Sequence, residues 1–273
     1  MTCSRRLTTC GRLAPVAVLF LAGCGLPGTG GELVEVGWQL ESAAADNVIL
    51  TTGEDPWEVE LVEARILVGP VYVFAPPTIA QRLAPLIDPL APTVAHAHAG
   101  DDNTDGIRVR AELLEQTAVD LLDGSQSRMM TIAEAGDVNA VNIVLDQARS
   151  DLANESGPTR GFHAWLRGVA TRRDERIAFS AGLGETIPRD AIASRVESVP
   201  IEGATALSDG DVLVVKADPR EWVRRVIFDR IEAPATDEEI FIEEPSQLHN
   251  AWYIGLRDPA SWSVSVRPAP LQN

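Results

Sequence analysis

Cysteine is scarce in this chain, and its three cysteines, Cys3, Cys10 and Cys24, all fall within the first 24 residues. Residues 25–273 therefore contain no thiol. This absence excludes disulfide bonds, cysteine-ligated zinc, iron–sulfur clusters and thiol catalysis from the main part of the chain. A chain of this length needs no disulfide for stability, because it can bury a core of sufficient size.

Positive charge is also scarce. The chain has 23 lysines and arginines against 40 aspartates and glutamates, which gives a net charge of −17, and Lys216 is its only lysine. An acidic chain is repelled by nucleic acid and by anionic lipid, so charge-driven binding to either is excluded. Cationic ligands, including metal ions, are attracted instead.

Aromatic residues make up only 5% of the chain, fewer than a sugar-stacking groove usually needs. The sequence also lacks Gly-x-Ser-x-Gly, His-Glu-x-x-His, a phosphate-binding glycine loop and the Rossmann fingerprint. We therefore expect a protein that is not an enzyme. Because acids are plentiful, a carboxylate pair of the kind that glycoside hydrolases use stays open as an alternative. All six tryptophans fall within expected strands or helices, so we expect them in the core.

Long apolar runs are missing as well, since none reaches the roughly 20 residues that cross a bilayer as a helix. A run of about ten apolar residues, 13–22, follows a leader that contains three arginines and no acid. This arrangement is typical of a secretory signal peptide. The run ends in Leu21-Ala22-Gly23-Cys24, a step of small residues that closes on cysteine.

This ending resembles the lipobox of bacterial lipoproteins, the family in which the cysteine thiol is lipidated and the signal peptide is cut just before it. The resemblance implies a signal peptide over 1–23, a lipidated Cys24, and anchoring in the cell envelope through lipid alone. Residues 24–32 would form a short tether. Because residues 1–23 hold three arginines and no acid, their removal takes the net charge from −17 to about −20.

In that family, aspartate directly after the lipidated cysteine favours retention in the inner membrane. This chain has Gly25 at that position. The resemblance therefore implies the outer membrane as the destination where the host has two membranes.

Strand signals dominate beyond the tether, and we expect a single mainly-β domain over 33–273. The segment 66–74 contains Gly69-Pro70 and is expected to bend, and 162–170 with 177–181 predicts a hairpin with a charged tip. The spacing favours an antiparallel β-sandwich or barrel-like body over a βαβ repeat. The other expected strands, which follow from alternation or short apolar runs, are 33–38, 57–61, 138–145, 196–201, 212–215 and 262–266.

Two or three short helices are expected to interrupt these strands. Asp218 and Pro219, followed by Glu221, form a helix start with an N-cap residue, a proline in the first turn and a capping glutamate. Ser246 is expected to cap a second helix that carries Leu248, Trp252 and Leu256. Residues 77–90 are a third helical segment, although they contain two prolines.

The stretch 91–106 contains a His-x-His pair, His96 and His98, followed by Asp101 and Asp102. In an extended segment both imidazoles project to one face, about 7 Å apart at the backbone, a spacing that two ligands of one metal can share. Imidazole and carboxylate ligands without thiols favour Cu(II) or Zn(II). The pattern predicts a transition-metal site, and the alternative is a pair of solvated loop residues.

Two other histidines are candidates to complete this metal set. His163 lies in an expected strand and His249 in an expected helix beside Trp252. The alternative interpretation is that both are partly buried residues whose hydrogen bonds are satisfied within the fold.

The same stretch matches a calcium-binding loop, since residues 101–112 fit the pattern D-x-[DN]-x-[DN]-G-x5-E. Arg108 stands where the EF-hand family has a hydrophobic residue, and 107–111 looks like a strand, so we expect a loop without flanking helices. A solvated turn between two strands is the alternative. The calcium ligands would be Asp101, Asn103, Asp105, Ile107 and Glu112.

Three segments, Gly69-Pro70-Val71-Tyr72, the His-x-His pair and 119–122, also resemble exported lipoproteins with a β-sandwich body, a resemblance that assigns no activity. The leading hypothesis is a lipid-anchored envelope protein that captures or delivers copper or zinc. The alternatives are a calcium-stabilised structural or adhesion module and an envelope hydrolase with a carboxylate site. The expected partners are the membrane, through the lipid, and an envelope protein.

Overall fold

The computed structural model describes residues 31–44, 46–77, 108–123, 127–145, 157–184, 195–203, 206–231, 238–244 and 246–269. The chain divides into one unit of residues 1–32 and a second of residues 33–273, and every element below belongs to the second. Among the described residues, no helix is both long and apolar enough to cross a membrane.

The described residues are dominated by β-strands, with two short α-helices. The helices are α1 (Pro219–Val223) and α2 (Gln247–Arg257), and single 3-10 turns cover Phe228–Arg230 and Pro259–Ser261. The strands are β1 (Leu33–Ser42), β2 (Val48–Leu50), β3 (Glu58–Val68), β4 (Val71–Phe74), β5 (Val109–Leu113), β6 (Thr117–Asp120), β7 (Ser127–Glu134), β8 (Gly136–Asp137), β9 (Ala140–Val144), β10 (Ala164–Arg172), β11 (Glu175–Leu183), β12 (Arg195–Gly203), β13 (Ala206–Leu207), β14 (Val212–Ala217), β15 (Ile240–Ile242) and β16 (Trp262–Arg267).

Eight strands form a barrel-like sheet in the order β5-β4-β9-β12-β16-β14-β1-β7. Its two end strands, β5 and β7, lie beside each other, so the sheet is nearly closed. Arg108, directly before β5, and Arg110, on it, both contact the carboxylate of Glu134 at the end of β7. Arg110 Nη1 also donates to the Ala135 carbonyl at 3.0 Å. Side chains thus join the two end strands of the barrel-like sheet.

A second sheet has the order β15-β11-β10-β3-β2, with β6 also paired to β3, and β13 pairs with β8 in a small ribbon. Most pairings are antiparallel, but β1–β14, β12–β16 and β11–β15 are parallel. The expectation of a mainly β, sandwich-like or barrel-like body with short helices is confirmed.

The chain passes between the two sheets at Gly69-Pro70, where β3 of the second sheet leads into β4 of the barrel-like sheet. Gly69 has φ +119°, and a Cβ there would collide with the carbonyl oxygen of Glu115. Only glycine fits this position without strain. The bend expected in the apolar segment 66–74 is present, but the segment forms two strands in different sheets and not the single bent strand that the sequence predicted.

One continuous hydrophobic core joins the barrel interior to the inner face of the second sheet and to both helices. Its largest buried side chains include Trp38 inside the barrel and Phe179, Trp222 and Phe228 beneath the second sheet. The two helices meet at Gly255, where a Cβ would lie 2.8 Å from the Cα of Trp222. The glycine therefore permits the close approach of α2 to α1.

Both expected helix starts are confirmed. The Asp218 side chain accepts a hydrogen bond from Arg220 N, and Pro219 opens α1. The Ser246 side chain accepts from His249 N and caps α2. The helical segment expected at 77–90 lies outside the described residues, apart from residue 77. The expected hairpin is also confirmed as β10 and β11, but β10 begins at Ala164, so His163 precedes the strand instead of lying in it.

Candidate functional site

Three of the site residues predicted from sequence lie in the described part of the chain: Glu112, His163 and His249. The other predicted site residues lie outside the described part of the chain, so their roles stay predictions. These are Cys24, His96, His98, Asp101, Asp102, Asn103, Asp105 and Ile107.

Glu112 is an exposed residue of β5 and lies opposite Tyr72 on β4. The strand expected over 107–111 is present as β5, which begins at Val109. The residue that would close a calcium shell therefore lies on a strand, whereas the EF-hand places it on a helix. Any calcium ion held here would be bound by a loop that runs into a β-strand.

His249 is buried in the first turns of α2 and contacts β11 beyond the end of β15. Its Nε2 lies 2.7 Å from Oε1 of Glu244. The same carboxylate oxygen accepts from the backbone N–H of Gly184 at 3.3 Å. The imidazole also bonds the backbone of Gly182. The two side chains thus contact the backbone at the end of β11 and directly after it, where the pairing with β15 has ended.

Burial lowers the pKa of His249 below its ordinary value of 6.5, because a protonated imidazole loses hydration in the core. The Glu244 carboxylate and the Gly182 backbone favour the protonated ring, but they only partly offset the effect of burial. His249 is therefore neutral at neutral pH, and its contacts are those of a packing residue.

The described part of the chain contains no group of three or more histidine, cysteine, aspartate or glutamate side chains placed to hold a metal ion. His163 is fully buried, and His249 is already engaged by Glu244 and Gly182. The metal hypothesis depends on His96 and His98, which lie outside the described residues, and it stays a prediction.

A cleft of about 450 Å³ opens along the edge of β3. In the pairing of β3 with β10, Arg167 lies opposite Glu63 and Gly168 lies opposite Leu61, so Val62 is an extra, bulged residue. On the other edge of β3, the backbone bonds to β2 and the residue before it end where Leu61 N–H donates to the Asn47 carbonyl. The bonds to β6 and the residue after it begin where Leu121 N–H donates to the Ala64 carbonyl. The cleft lies between these two neighbours.

The cleft combines carboxylates with apolar side chains. Asp46 and Glu60 supply the charge, and Asp46 Oδ1 accepts from Arg220 Nη1 at 3.0 Å. Asn47 is fixed in the wall, since its Nδ2 donates to the Leu61 carbonyl at 2.9 Å. The described lining residues, none of which is basic, are Ala44, Asp46, Asn47, Glu60, Leu61, Val62, Leu121 and Leu122.

The size of this cleft falls within the range of roughly 300–1,000 Å³ typical of small-molecule sites. Its negative charge and apolar surface suit a small organic cation with an aliphatic part. We take this acidic cleft as the candidate functional site in the described part of the chain.

Sequence reasoning missed the cleft, although the sequence carries a signal for it. The buried residues of β3 are Val59 and Leu61 before the bulge and Ala64 and Ile66 after it, so the alternation changes phase at Val62. A phase change of one residue within a strand pattern is the signature of a β-bulge.

A second cluster lies on the outer face of the second sheet, away from the core. It is built on Trp165, whose indole stacks with Phe162 and Phe241 at centroid distances of 5.8 and 6.3 Å. Arg160 lies over the indole ring, 4.6 Å from its centroid, and the indole N–H donates to Glu63 at 3.1 Å. Trp165 is therefore buried but lies outside the core, contrary to expectation. The other five tryptophans belong to the core, as expected.

Ion pairs surround this aromatic stack. Arg167 Nε donates to Glu239 Oε2 at 2.6 Å, and its Nη1 lies 3.5 Å from Glu63. Burial alone would raise the pKa of Glu239, but hydrogen bonds from Ser180 and Arg167 outweigh it, and the pKa lies below its ordinary value of 4.5. Every charge here has a partner, which is typical of a cluster that holds a sheet surface together.

Comparisons with known proteins give no relative for this chain: no protein-family model, no curated protein and no solved structure matches it.

Proposed function

We propose that this chain is a lipid-anchored, non-enzymatic binding protein of the cell envelope. The observation that carries the proposal is the lipobox Leu21-Ala22-Gly23-Cys24, which is followed closely by a β body whose first strand begins at Leu33. The cysteine is the last thiol in the chain. A net charge of about −20 after cleavage keeps the body soluble beside a membrane that it does not bind through charge.

The anchoring is tested by expressing the full chain in a bacterium, separating membranes from soluble protein, and measuring the mass of the product. We expect an acylated protein that begins at residue 24 and sediments with membranes, in the outer membrane where the host has two. A Cys24→Ala variant should carry no acyl mass. If the variant and the natural sequence show the same mass shift and the same distribution, the assignment of Cys24 is wrong.

The ligand that we propose for the acidic cleft is a small organic cation. The supporting observation is that Asp46 and Glu60 line the cleft together with apolar side chains, and that the cleft has a suitable volume. Calorimetric titration with butylamine, choline and spermidine should detect binding that Glu60→Gln weakens. Glu58→Gln is the matched control, because Glu58 lies two residues away on the same strand and does not line the cleft. Equal affinity in both variants would remove Glu60 from the site.

A second candidate function is capture of a divalent transition metal through His96 and His98. The specific observation is the His-x-His spacing followed at once by Asp101 and Asp102 in a thiol-free chain. Because His249 is engaged within the fold, the smallest ligand set that we propose excludes it.

Calorimetry of residues 25–273 with copper, zinc and calcium separately, after treatment with a chelator, tests this second function. Tight binding of copper or zinc that His96→Ala/His98→Ala abolishes would support the pair. Unchanged affinity in that double variant would exclude it. Binding of calcium alone, lost in Asp101→Ala, would move the function to the acidic loop over 101–112.

A further inference from the structure

The outer surface of β1 and β7 carries exposed apolar side chains that no element in the described part of the chain covers. Leu33 is 73% exposed, Met130 61% and Ile132 60%. In the antiparallel register, Ile132 lies opposite Glu35 and Met130 opposite Gly37, so these side chains share one face of the sheet.

The surface extends onto β14 across Gly37, which lies opposite Val212 on that strand. A Cβ on Gly37 would lie 3.2 Å from a methyl group of Val212 and 3.5 Å from the sulfur of Met130. The absence of a side chain at Gly37 therefore lets Met130 and Val212 approach each other. We call Leu33, Met130, Ile132 and Val212 the apolar patch.

The position of the patch in the chain indicates what it contacts. Leu33 is the first residue of β1, and only eight residues, 25–32, separate it from Cys24. The nine Cα–Cα steps from Cys24 to Leu33 span at most about 32 Å when fully extended. With the lipid of Cys24 in a bilayer, Leu33 at the edge of the patch cannot lie farther than this from the membrane surface.

We infer that the apolar patch rests on the phospholipid surface and orients the β body against the membrane. This inference depends on the lipid anchoring proposed above. The lipid makes the contact intramolecular, so a weak affinity of the patch for the bilayer interface is sufficient.

Charges of both signs lie around the patch, including Arg267 opposite Val212, and they are compatible with a zwitterionic lipid surface. Glu134, opposite Leu33, is paired with Arg108 and Arg110. Glu35 lies among the apolar side chains and has no basic partner in the described residues. Its carboxylate opposes the contact, so Glu35→Gln should strengthen it.

The absence of other thiols provides a direct test. In the acylated full-length product the Cys24 thiol is blocked, so Ile132→Cys can be labelled with an environment-sensitive fluorophore and reconstituted into phosphatidylcholine vesicles. The matched control is Ile254→Cys on α2, which is 55% exposed and far from the patch in sequence. Met130→Cys provides a second position on the patch.

A blue shift at position 132, larger in the Glu35→Gln background and absent at position 254, is the expected result. No shift at 130 or 132 while the protein floats with the vesicles would overturn the inference and leave the anchoring intact. Shifts at 132 and 254 alike would also overturn it, since the body would then have no preferred orientation.

A shift in native membranes but not in pure lipid would replace the bilayer with an envelope protein as the partner. Failure to float would overturn the anchoring itself.

Discussion

The carboxylate of Glu244 lies 2.7 Å from Nε2 of His249. Beyond Ala181, where the pairing with β15 has ended, His249 bonds the backbone of Gly182 on β11, and Glu244 accepts from the N–H of Gly184 directly after β11. Glu244 follows β15 closely, and His249 belongs to the first turns of α2. The pair therefore ties the end of a strand to the start of a helix. Protonation of His249 should affect the stability of this junction.

The free energy of unfolding should fall as the pH drops below 6.5. Burial lowers the pKa of His249 from its ordinary value of 6.5, so in that range the unfolded chain binds more protons than the folded one. Well above pH 6.5 both states carry a neutral imidazole, and its contribution is constant.

Urea unfolding at about pH 7.5 and about pH 5.5 measures this effect without titrating the carboxylates. A His249→Gln variant should show a smaller difference between the two pH values than the natural sequence. Equal differences would show that His249 does not titrate differently in the folded state.

The cap of α1 should contribute measurably to stability. Asp218 Oδ1 accepts a hydrogen bond from Arg220 N at 3.0 Å. The same carboxylate accepts from Arg220 Nε and Nη2 at 2.9 and 2.8 Å, and these hydrogen bonds raise the pKa of the guanidinium. Asp218→Ala should destabilise the protein by about 1–2 kcal/mol, measured by denaturant unfolding. Asp218→Asn keeps the cap and should lose less, and equal losses would mean that the ion pair is the larger contribution.

Gly255→Ala should destabilise the protein although alanine is the better helix former. The gain in helix propensity is about 1 kcal/mol, whereas a Cβ would lie 2.8 Å from both Cα and O of Trp222. Because those atoms are backbone, α2 has to shift, and we expect a net loss of about 1–3 kcal/mol. Asn250→Ala, at an exposed position of α2, is the control and should be neutral or stabilising. A stabilised Gly255→Ala protein would contradict the close helix contact.

Neutralising Glu134 should weaken the junction of β5 and β7. Its side chain is 13% exposed and contacts both Arg108 and Arg110, so Glu134→Gln leaves two neighbouring cations without their shared carboxylate. We expect a loss of about 1–3 kcal/mol in thermal or denaturant unfolding. Arg108→Gln added to Glu134→Gln should restore part of this loss, because it removes the repulsion between the arginines. If the double variant loses more unfolding free energy than the two single variants lose together, that explanation is ruled out.

Local features of this fold could be predicted from sequence. The starts of both helices follow from Asp218-Pro219 and Ser246, whose capping bonds involve residues two or three positions away. The bend at Gly69 follows from a glycine–proline step within an apolar run. In each case the determining contacts lie close to the residue or depend on its own backbone freedom.

Non-local relationships could not be predicted in this way. No local pattern indicates that β1 lies parallel to β14, whose residues are more than 170 positions away. Trp165 was expected in the core because it falls within an expected strand, but the alternation of β10 gives the core positions to Ala164 and Leu166. The cleft depends on the bulge at Val62, which is visible in the sequence. It also depends on where the pairing of β3 with β2 ends and its pairing with β6 begins, and no sequence pattern indicates these positions.

The position of β1 inside the barrel-like sheet also has a mechanical consequence. A force on the chain at Cys24 reaches the body along β1, six of whose residues pair with β14 while eight pair with β7. A pull along the strand axis loads these two rows of hydrogen bonds together, in shear, instead of breaking them one at a time as peeling would. A protein held to a membrane by one acylated residue would thus transmit tension into the part of its sheet that is best placed to resist extraction.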